Sequence, residues 1–221
     1  MIASIIHKLE IADKVATLAI NATHTAFTDA IMGPISSVAL WIPLYAGVIA
    51  LLFWKLGWKA GLIAVLALII NIVLADQIAN LFKNGFHRLR PCYDEWMISH
   101  GLHCRIGGGR YGFYSAHASN AFSFAICSII CLSIRVKRKM GLKAERSMLS
   151  IYGIFIFLWA ITVSISRVYL GRHFLGDITV GAVSGLITGT AMALLARAAI
   201  KYIQRRDALK VKKDSDGIRQ Y

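Results

Sequence analysis

Three short polar clusters hold the residues of this chain that could do chemistry. The first is Lys83-Asn84-Gly85-Phe86-His87-Arg88-Leu89-Arg90-Pro91. The second is Tyr114-Ser115-Ala116-His117, and the third is Ser166-Arg167 followed by His173 and Asp177. A phosphoryl dianion needs positive clamps, a nucleophile and a proton donor. Lys83 can hold a phosphate oxygen as a point charge, and Arg90 and Arg167 can do so as planar forks. Ser115 and the backbone N–H groups of Ala116 and His117 can form an anion-binding helix start. His117 is then placed to donate a proton. His173 and Asp177 are four apart and would share a helix face. A carboxylate fixes the tautomer of such an imidazole and leaves its other nitrogen free to attack. Asp76 precedes Lys83 on a similar helix face and could orient a cation. Taken singly, each cluster has a plainer reading: a headgroup anchor, an N-cap serine with an interfacial histidine, or a pair closing a helix start. Together they suit binding a phosphate and attacking it.

Each cluster sits at the end of a long apolar run. The chain has 221 residues, 57% of them apolar, and a mean hydropathy of +0.60. Runs of about 18 apolar residues or more signal membrane spans. Five are expected: about 36–54, 57–82, 118–134, 148–170 and 178–200. Trp41, Trp54, Trp58 and Tyr152 fall near their ends, as interfacial aromatics do. Gly181, Ser184, Gly185, Thr188 and Gly189 give the last span a pattern of small residues for close helix packing. Residues 1–33 read as one amphipathic helix lying in the interface, broken by Gly33 and Pro34. Lys8, Glu10, Asp13 and Lys14 interrupt what a cleavable signal peptide would need. Residues 201–221 read as a basic, fraying helical tail, solvated without a specific partner in preference to one attracted to anionic headgroups. The expected fold is all-α, a single integral membrane bundle over residues 1–221.

Net charge is +14. With five spans, the connections alternate between two sides. Sixteen of the 25 Lys and Arg residues fall with Lys55, Lys59, the 135–146 loop and the tail. That side should be cytoplasmic. The three clusters then face a periplasm or the outside. The basic charge is thereby explained as topology, which disfavours nucleic acid as a partner.

The spacings Lys-x6-Arg-Pro, Ser-x-His and Ser-Arg-x5-His-x3-Asp resemble the type 2 phosphatidic acid phosphatase family, related in fold to vanadium-dependent haloperoxidases. The resemblance covers roughly Asp76 to Asp177. The second motif departs from the usual Pro-Ser-Gly-His, with Tyr114 and Ala116 in place of proline and glycine. Alanine still supplies a backbone N–H. The resemblance implies that His173 is the nucleophile and forms a phosphohistidine, that Asp177 orients it, and that His117 protonates the leaving oxygen. It further implies that Lys83, Arg90, Arg167, Ser115 and Ala116 bind the phosphate, with no metal or other cofactor. Three cations can neutralise the charge a metal would otherwise meet.

Cys92 and Cys104 lie on the same side as the clusters. They could form a disulfide in an oxidising compartment. Alternatively, His100, His103 and Cys104 could bind a metal, although a fourth ligand at recognised spacing is not evident. The run Gly107-Gly108-Gly109 suits a flexible entrance more than a nucleotide loop, since no Lys-Ser/Thr follows it. Cys127 and Cys131 read as packing residues.

These features point to a membrane phosphatase acting on a lipid phosphate or diphosphate: undecaprenyl diphosphate, lipid A phosphate, phosphatidylglycerol phosphate or phosphatidate. The first two are favoured by an outward site in a bacterial cytoplasmic membrane. The rival is a transporter or non-catalytic lipid-phosphate binding protein, which would not need both histidines and Asp177. Haloperoxidase chemistry on vanadate is disfavoured by the membrane spans.

Overall fold

The computed structural model describes residues 1–105, 109–134 and 141–218, with backbone alone over 211–218. The expected entrance at Gly107-Gly108 and the 135–140 part of the basic loop lie outside the described residues. The described residues form eight α-helices: α1 (Ile2–Asn21), α2 (Ala26–Ile35), α3 (Ile42–Leu56), α4 (Trp58–Phe86), α5 (Glu95–Ser99), α6 (Ala116–Leu132), α7 (Leu142–Tyr169) and α8 (Leu175–Ile218). Among the described residues, four helical stretches are long and apolar enough to cross a membrane: Val38–Leu56, Trp58–Phe86, Leu142–Tyr169 and Leu175–Lys210. The remaining expected span is α6. Its 17 residues reach about 25 Å at 1.5 Å per residue, at the short end of what spans.

The N-terminal segment is two helices, not one. The break falls at residues 22–25, where Thr25 caps α2 by accepting from the Thr28 N–H and Thr28 answers in return. Pro34 lies inside α2 and does not end it. In α1 the buried positions are polar: Lys14, Thr17 and Asn21. Ile2, Ile5, Ile6, Leu9 and Val15 are exposed instead. The helix therefore turns its polar face onto the protein, the reverse of a water-facing helix.

In the bundle, α6 packs against α4, α7 and α8. Ile69, Ile70 and Val73 of α4, Ile151 and Ile154 of α7, and Ile187 and Leu195 of α8 are exposed, forming a surface suited to hydrocarbon. Trp54 and Trp58 are exposed at the α3–α4 junction, as expected of interfacial aromatics. Trp41 and Tyr152 differ. Trp41 donates Nε1–H to the Ile35 carbonyl and meets Trp159 edge-on. Tyr152 donates to Ser128 Oγ at 2.7 Å. Both are inner rings with a satisfied polar tip.

The small residues of α8 form a seam with α6. A Cβ added to Gly181, Gly185 or Gly189 would lie 2.6, 2.2 or 2.5 Å from the carbonyl oxygen of Ser115, Ser119 or Ser123. Backbone stands in the way at each position, so relief needs a helix to move. Gly185→Ala should cost about 1–3 kcal/mol, the scale of core overpacking. A lowered thermal midpoint in detergent checks this, with Gly47→Ala as control because nothing lies within 4 Å of its added Cβ.

The bundle has two distinct ends. At one, Lys55 pairs with Glu145 and Lys59 with Asp207, each at 2.8 Å. At the other, the N-termini of α6 and α8 sit side by side, and the Ser115 N–H donates to the Asp177 carbonyl at 3.1 Å. The polar clusters gather there.

Candidate active site

Helix α4 carries Lys83 on its last full turn and ends at His87, which adopts a left-handed conformation with φ 48° and donates its N–H to the Lys83 carbonyl. The helix thus stops before Pro91, which opens a 3₁₀ turn over Pro91–Tyr93. The returning chain pairs with the intervening segment. The Arg90 N–H donates to the Arg110 carbonyl and the Gly112 N–H to the Arg88 carbonyl. Arg90 is buried, and its Nε donates to the Tyr111 carbonyl at 3.1 Å. Burial, reinforced by nearby Arg172, lowers the Arg90 pKa from its ordinary value.

Ser115 is the N-cap of α6, accepting from the Ala118 N–H at 3.3 Å. Ala116 and His117 follow in the first turn, where unpaired N–H groups favour an anion. Arg167 lies in the last turn of α7 and donates from Nη1 to Ser36 Oγ beyond α2. His173 stands just outside α8, and Asp177 lies within its first turn. The two are therefore not neighbours along one helix face. They meet because Asp177 Oδ2 accepts the Phe174 N–H at 3.0 Å, half of a capping box. The carboxylate lies 3.5 Å from His173 Nδ1, longer than a hydrogen bond, and Nδ1 is buried without a hydrogen-bond partner among the described residues.

One cavity of about 690 Å³ collects Lys83, Arg90, Ala116, His117, Arg167 and His173. Two of the eight candidate residues do not line it. Asp177 stands behind His173, and Ser115 caps α6. Sequence reasoning missed Arg172, which lines the same cavity; its adjacency to His173 was the available signal. It also missed Arg88, whose Nη1 donates to Asp177 Oδ1 at 2.7 Å. Asp76 lines the wall with Lys83 and accepts from Asn120 Nδ2 at 2.9 Å. The side-chain hydrogen bond of Lys83 goes to Asn80 at 3.5 Å. Lys83, Arg167 and Arg172 form no ion pair among the described residues. Arg167 Nε and Arg172 Nε are buried without a partner among them. Uncompensated buried donors of one sign favour an anion with several acceptor oxygens.

Cys92 and Cys104 form a disulfide, with Cα atoms 5.6 Å apart. That removes Cys104 from the alternative metal set. His103 instead stacks on His24, with ring centroids 3.9 Å apart. His24, Asp29 and His103 are the described residues whose spacing could hold a metal ion, and none of them lines the cavity. His100 stacks on Trp96.

Residues 57–201 match the PAP2 superfamily. The chain belongs to that superfamily. Over 179 residues it is 34% identical to a lipid A 4'-phosphatase of Bacteroides thetaiotaomicron, covering 80% of this chain and 73% of the relative. It is 29% identical over 175 residues to a lipid A 4'-phosphatase of Porphyromonas gingivalis, covering 78% and 67%. Two crystal structures share the fold. One is a transmembrane PAP2-type phosphatidylglycerolphosphate phosphatase from Bacillus subtilis, with TM-score 0.56, 20% identity, and 90% and 87% coverage of this chain and that one. The other is LpxE of Aquifex aeolicus, with TM-score 0.55, 22% identity, and 80% and 92% coverage. The chain is thus a PAP2-type integral membrane lipid phosphatase.

Burial pushes the His173 pKa down to about 4, against the raising effect of Asp177 and with Arg167 and Arg90 adding to the fall. The imidazole is then neutral, and able to attack, down to pH about 4. Its proton is gained only below that value, so activity dependent on it should be lost there and not near the usual 6.5. The acid limb of kcat/KM reports the free enzyme's base and the free substrate. A phosphate monoester has its own ionisation near pH 6. After correction for it, His173 should contribute no acid limb between pH 5 and 7. A corrected limb near 6.5 would exclude His173 as the attacking base.

Proposed function

We propose that this chain removes the phosphate of a lipid A-type glycolipid through a phosphohistidine formed on His173. The observation that carries this reading is the cavity itself. Four cations, Lys83, Arg90, Arg167 and Arg172, surround the start of α6, with His173 and His117 in the same wall. Beyond them lie Asp76, Gln77, Asn80 and Asn120. These groups suit the hydroxyls and amides of a phosphorylated sugar, which a phosphatidate headgroup lacks. Trp41, Tyr45 and Phe124 continue the wall and suit an apolar chain. The names of the two relatives favour the same substrate class.

In this mechanism the cations and the α6 N–H groups hold the phosphate. Asp177 faces Nδ1 of His173, so Nε2 is the nitrogen that attacks phosphorus. The bond from phosphorus to the lipid oxygen breaks as His117 gives that oxygen a proton. Water then attacks the phosphohistidine, losing a proton to His117. Inorganic phosphate leaves and His173 is restored. Charge is neutralised by arginine and lysine where other phosphatases use a metal.

We further infer that the site faces away from the cytoplasm of a bacterial inner membrane. The Lys55 and Lys59 end, which the basic connections share, is opposite the cavity. The cystine beside the cavity suits an oxidising compartment.

Phosphate release by the purified protein, measured on a panel of lipids, tests the substrate. The panel holds lipid A with its 4'-phosphate, undecaprenyl diphosphate, phosphatidylglycerol phosphate and phosphatidate. The highest kcat/KM is expected on lipid A. A higher value on any other member would reassign the substrate, and release from none would end the catalytic reading.

A further inference from the structure

The carboxylate behind the candidate nucleophile is held by a cation that is itself held by α1. Arg88 Nη1 donates to Asp177 Oδ1 and Nη2 donates to Asp13 Oδ2, each at 2.7 Å. Asp13 Oδ1 in turn accepts the Gly176 N–H at 2.7 Å. The guanidinium carbon lies 4.2 Å from the Phe174 ring centroid, which fixes the plane of the fork. Asp177 is fully buried, while the Arg88 and Asp13 side chains are 27% and 16% exposed. We propose that Arg88 and Asp13 are positioning residues: together they hold the Asp177 carboxylate aimed at His173, so that the N-terminal helix completes the catalytic centre.

The inference rests on the phosphohistidine reading above, because it gives Asp177 work to do in the attack. Asp13 lies outside residues 57–201, the part of the chain that matches the superfamily. The charges explain why two carboxylates are needed. Arg88 alone would neutralise Asp177 and weaken its hold on His173. Asp13 shares the guanidinium, so the trio keeps one net negative charge beside the imidazole. That charge steadies the ring as it becomes cationic on phosphorylation. Without Arg88, Asp13 and Asp177 would repel, and a buried carboxylate would lose a charged partner. Close fit supports the placement. A Cβ added to Gly176 would lie 2.8 Å from Asp13 Oδ2, so alanine there would make the carboxylate shift.

The test is a set of kcat and KM values on whichever panel lipid the wild type hydrolyses fastest. The variants are Arg88→Gln, Asp13→Asn, Gly176→Ala and the Arg88→Gln/Asp13→Asn pair, each also made with Asp177→Asn and followed in long single-turnover reactions. Arg88→Gln and Asp13→Asn should each lower kcat about 10- to 100-fold, the scale for residues that orient a reacting group through another, with KM changed less than about threefold. Gly176→Ala should match Asp13→Asn. The pair should lose little more than its worse member, because both act through one link. In the Asp177→Asn background the substitutions should change the rate by less than about twofold. Equal losses with and without Asp177 would reduce Arg88 and Asp13 to structural residues, and a rise in KM at constant kcat would make Arg88 a phosphate ligand. A fully additive pair would also overturn the relay. Asp13→Asn changes one atom at a partly exposed site, so it decides the matter if Arg88→Gln fails to fold. Wild-type protein that hydrolyses no panel lipid would end the catalytic reading itself, an outcome distinct from all of these.

Discussion

Phosphate release by His173→Ala protein should fall on the order of 10⁴-fold or more, the scale for loss of a nucleophile, while the protein stays folded in detergent. The structure explains why the two effects separate. His173 Nδ1 is 3.5 Å from Asp177, so little hydrogen-bond energy is lost with the ring. The carboxylate keeps Arg88 and the Phe174 N–H as partners and is not left bare. The residues that close α8, Phe174 and Asp177, are untouched. Gel filtration and a thermal midpoint check the fold, and a phosphate assay on the preferred lipid checks the chemistry. A well-folded His173→Ala protein with near wild-type turnover would sink the mechanism.

The second large effect depends on the leaving group. A lipid or sugar alkoxide leaves poorly and needs a proton, so His117→Ala should slow its phosphorylation step about 10²-fold or more. An aryl phosphate leaves with little help, and the same substitution should cost it far less. Burst measurements of phosphoenzyme on both substrates isolate the first step from hydrolysis of the intermediate, in which the proposed mechanism also uses His117. His117 sits in the first turn of α6 and lines the cavity with His173, as a donor to the departing oxygen must. Equal losses on the two substrates would mean that His117 holds the phosphate or the helix start, and the general-acid role would be withdrawn.

The helices of the bundle were legible because hydrocarbon thickness imposes a length on apolar runs. The glycines of α8 were legible as a seam because only small residues let backbones approach. The break at Thr23–Thr25 was not, since Gly33 and Pro34 are stronger punctuation in sequence. Proline within α2 is tolerated and the capping pair of Thr25 and Thr28 sets the boundary. The candidate site was legible at Lys83, Arg90, His117, Arg167 and His173, whose types announce their chemistry. Arg172 and Arg88 were overlooked because their one signal was nearness in sequence, to His173 and to Arg90, and in a basic chain that signal is weak. Asp13 was out of reach: nothing in a sequence says that an N-terminal aspartate will meet residue 176.

Those distant meetings bear on how the enzyme is made. Thr17 accepts from the Leu175 N–H, Asp13 from the Gly176 N–H, and Asn21 donates to the Tyr169 carbonyl, across separations of 158, 163 and 148 residues. The polar face of α1 is therefore completed in stages: Lys14 and Asn21 meet Asp94 and His103 in the middle of the chain, and the Leu175 and Gly176 links form only with the start of α8. Until α8 is in place, Thr17 and Asp13 lack their Leu175 and Gly176 partners, and the starts of α6 and α8 have no common wall. Biogenesis thus confers hydrolytic competence late, and a nascent chain stalled before Leu175 is a membrane protein without an active site.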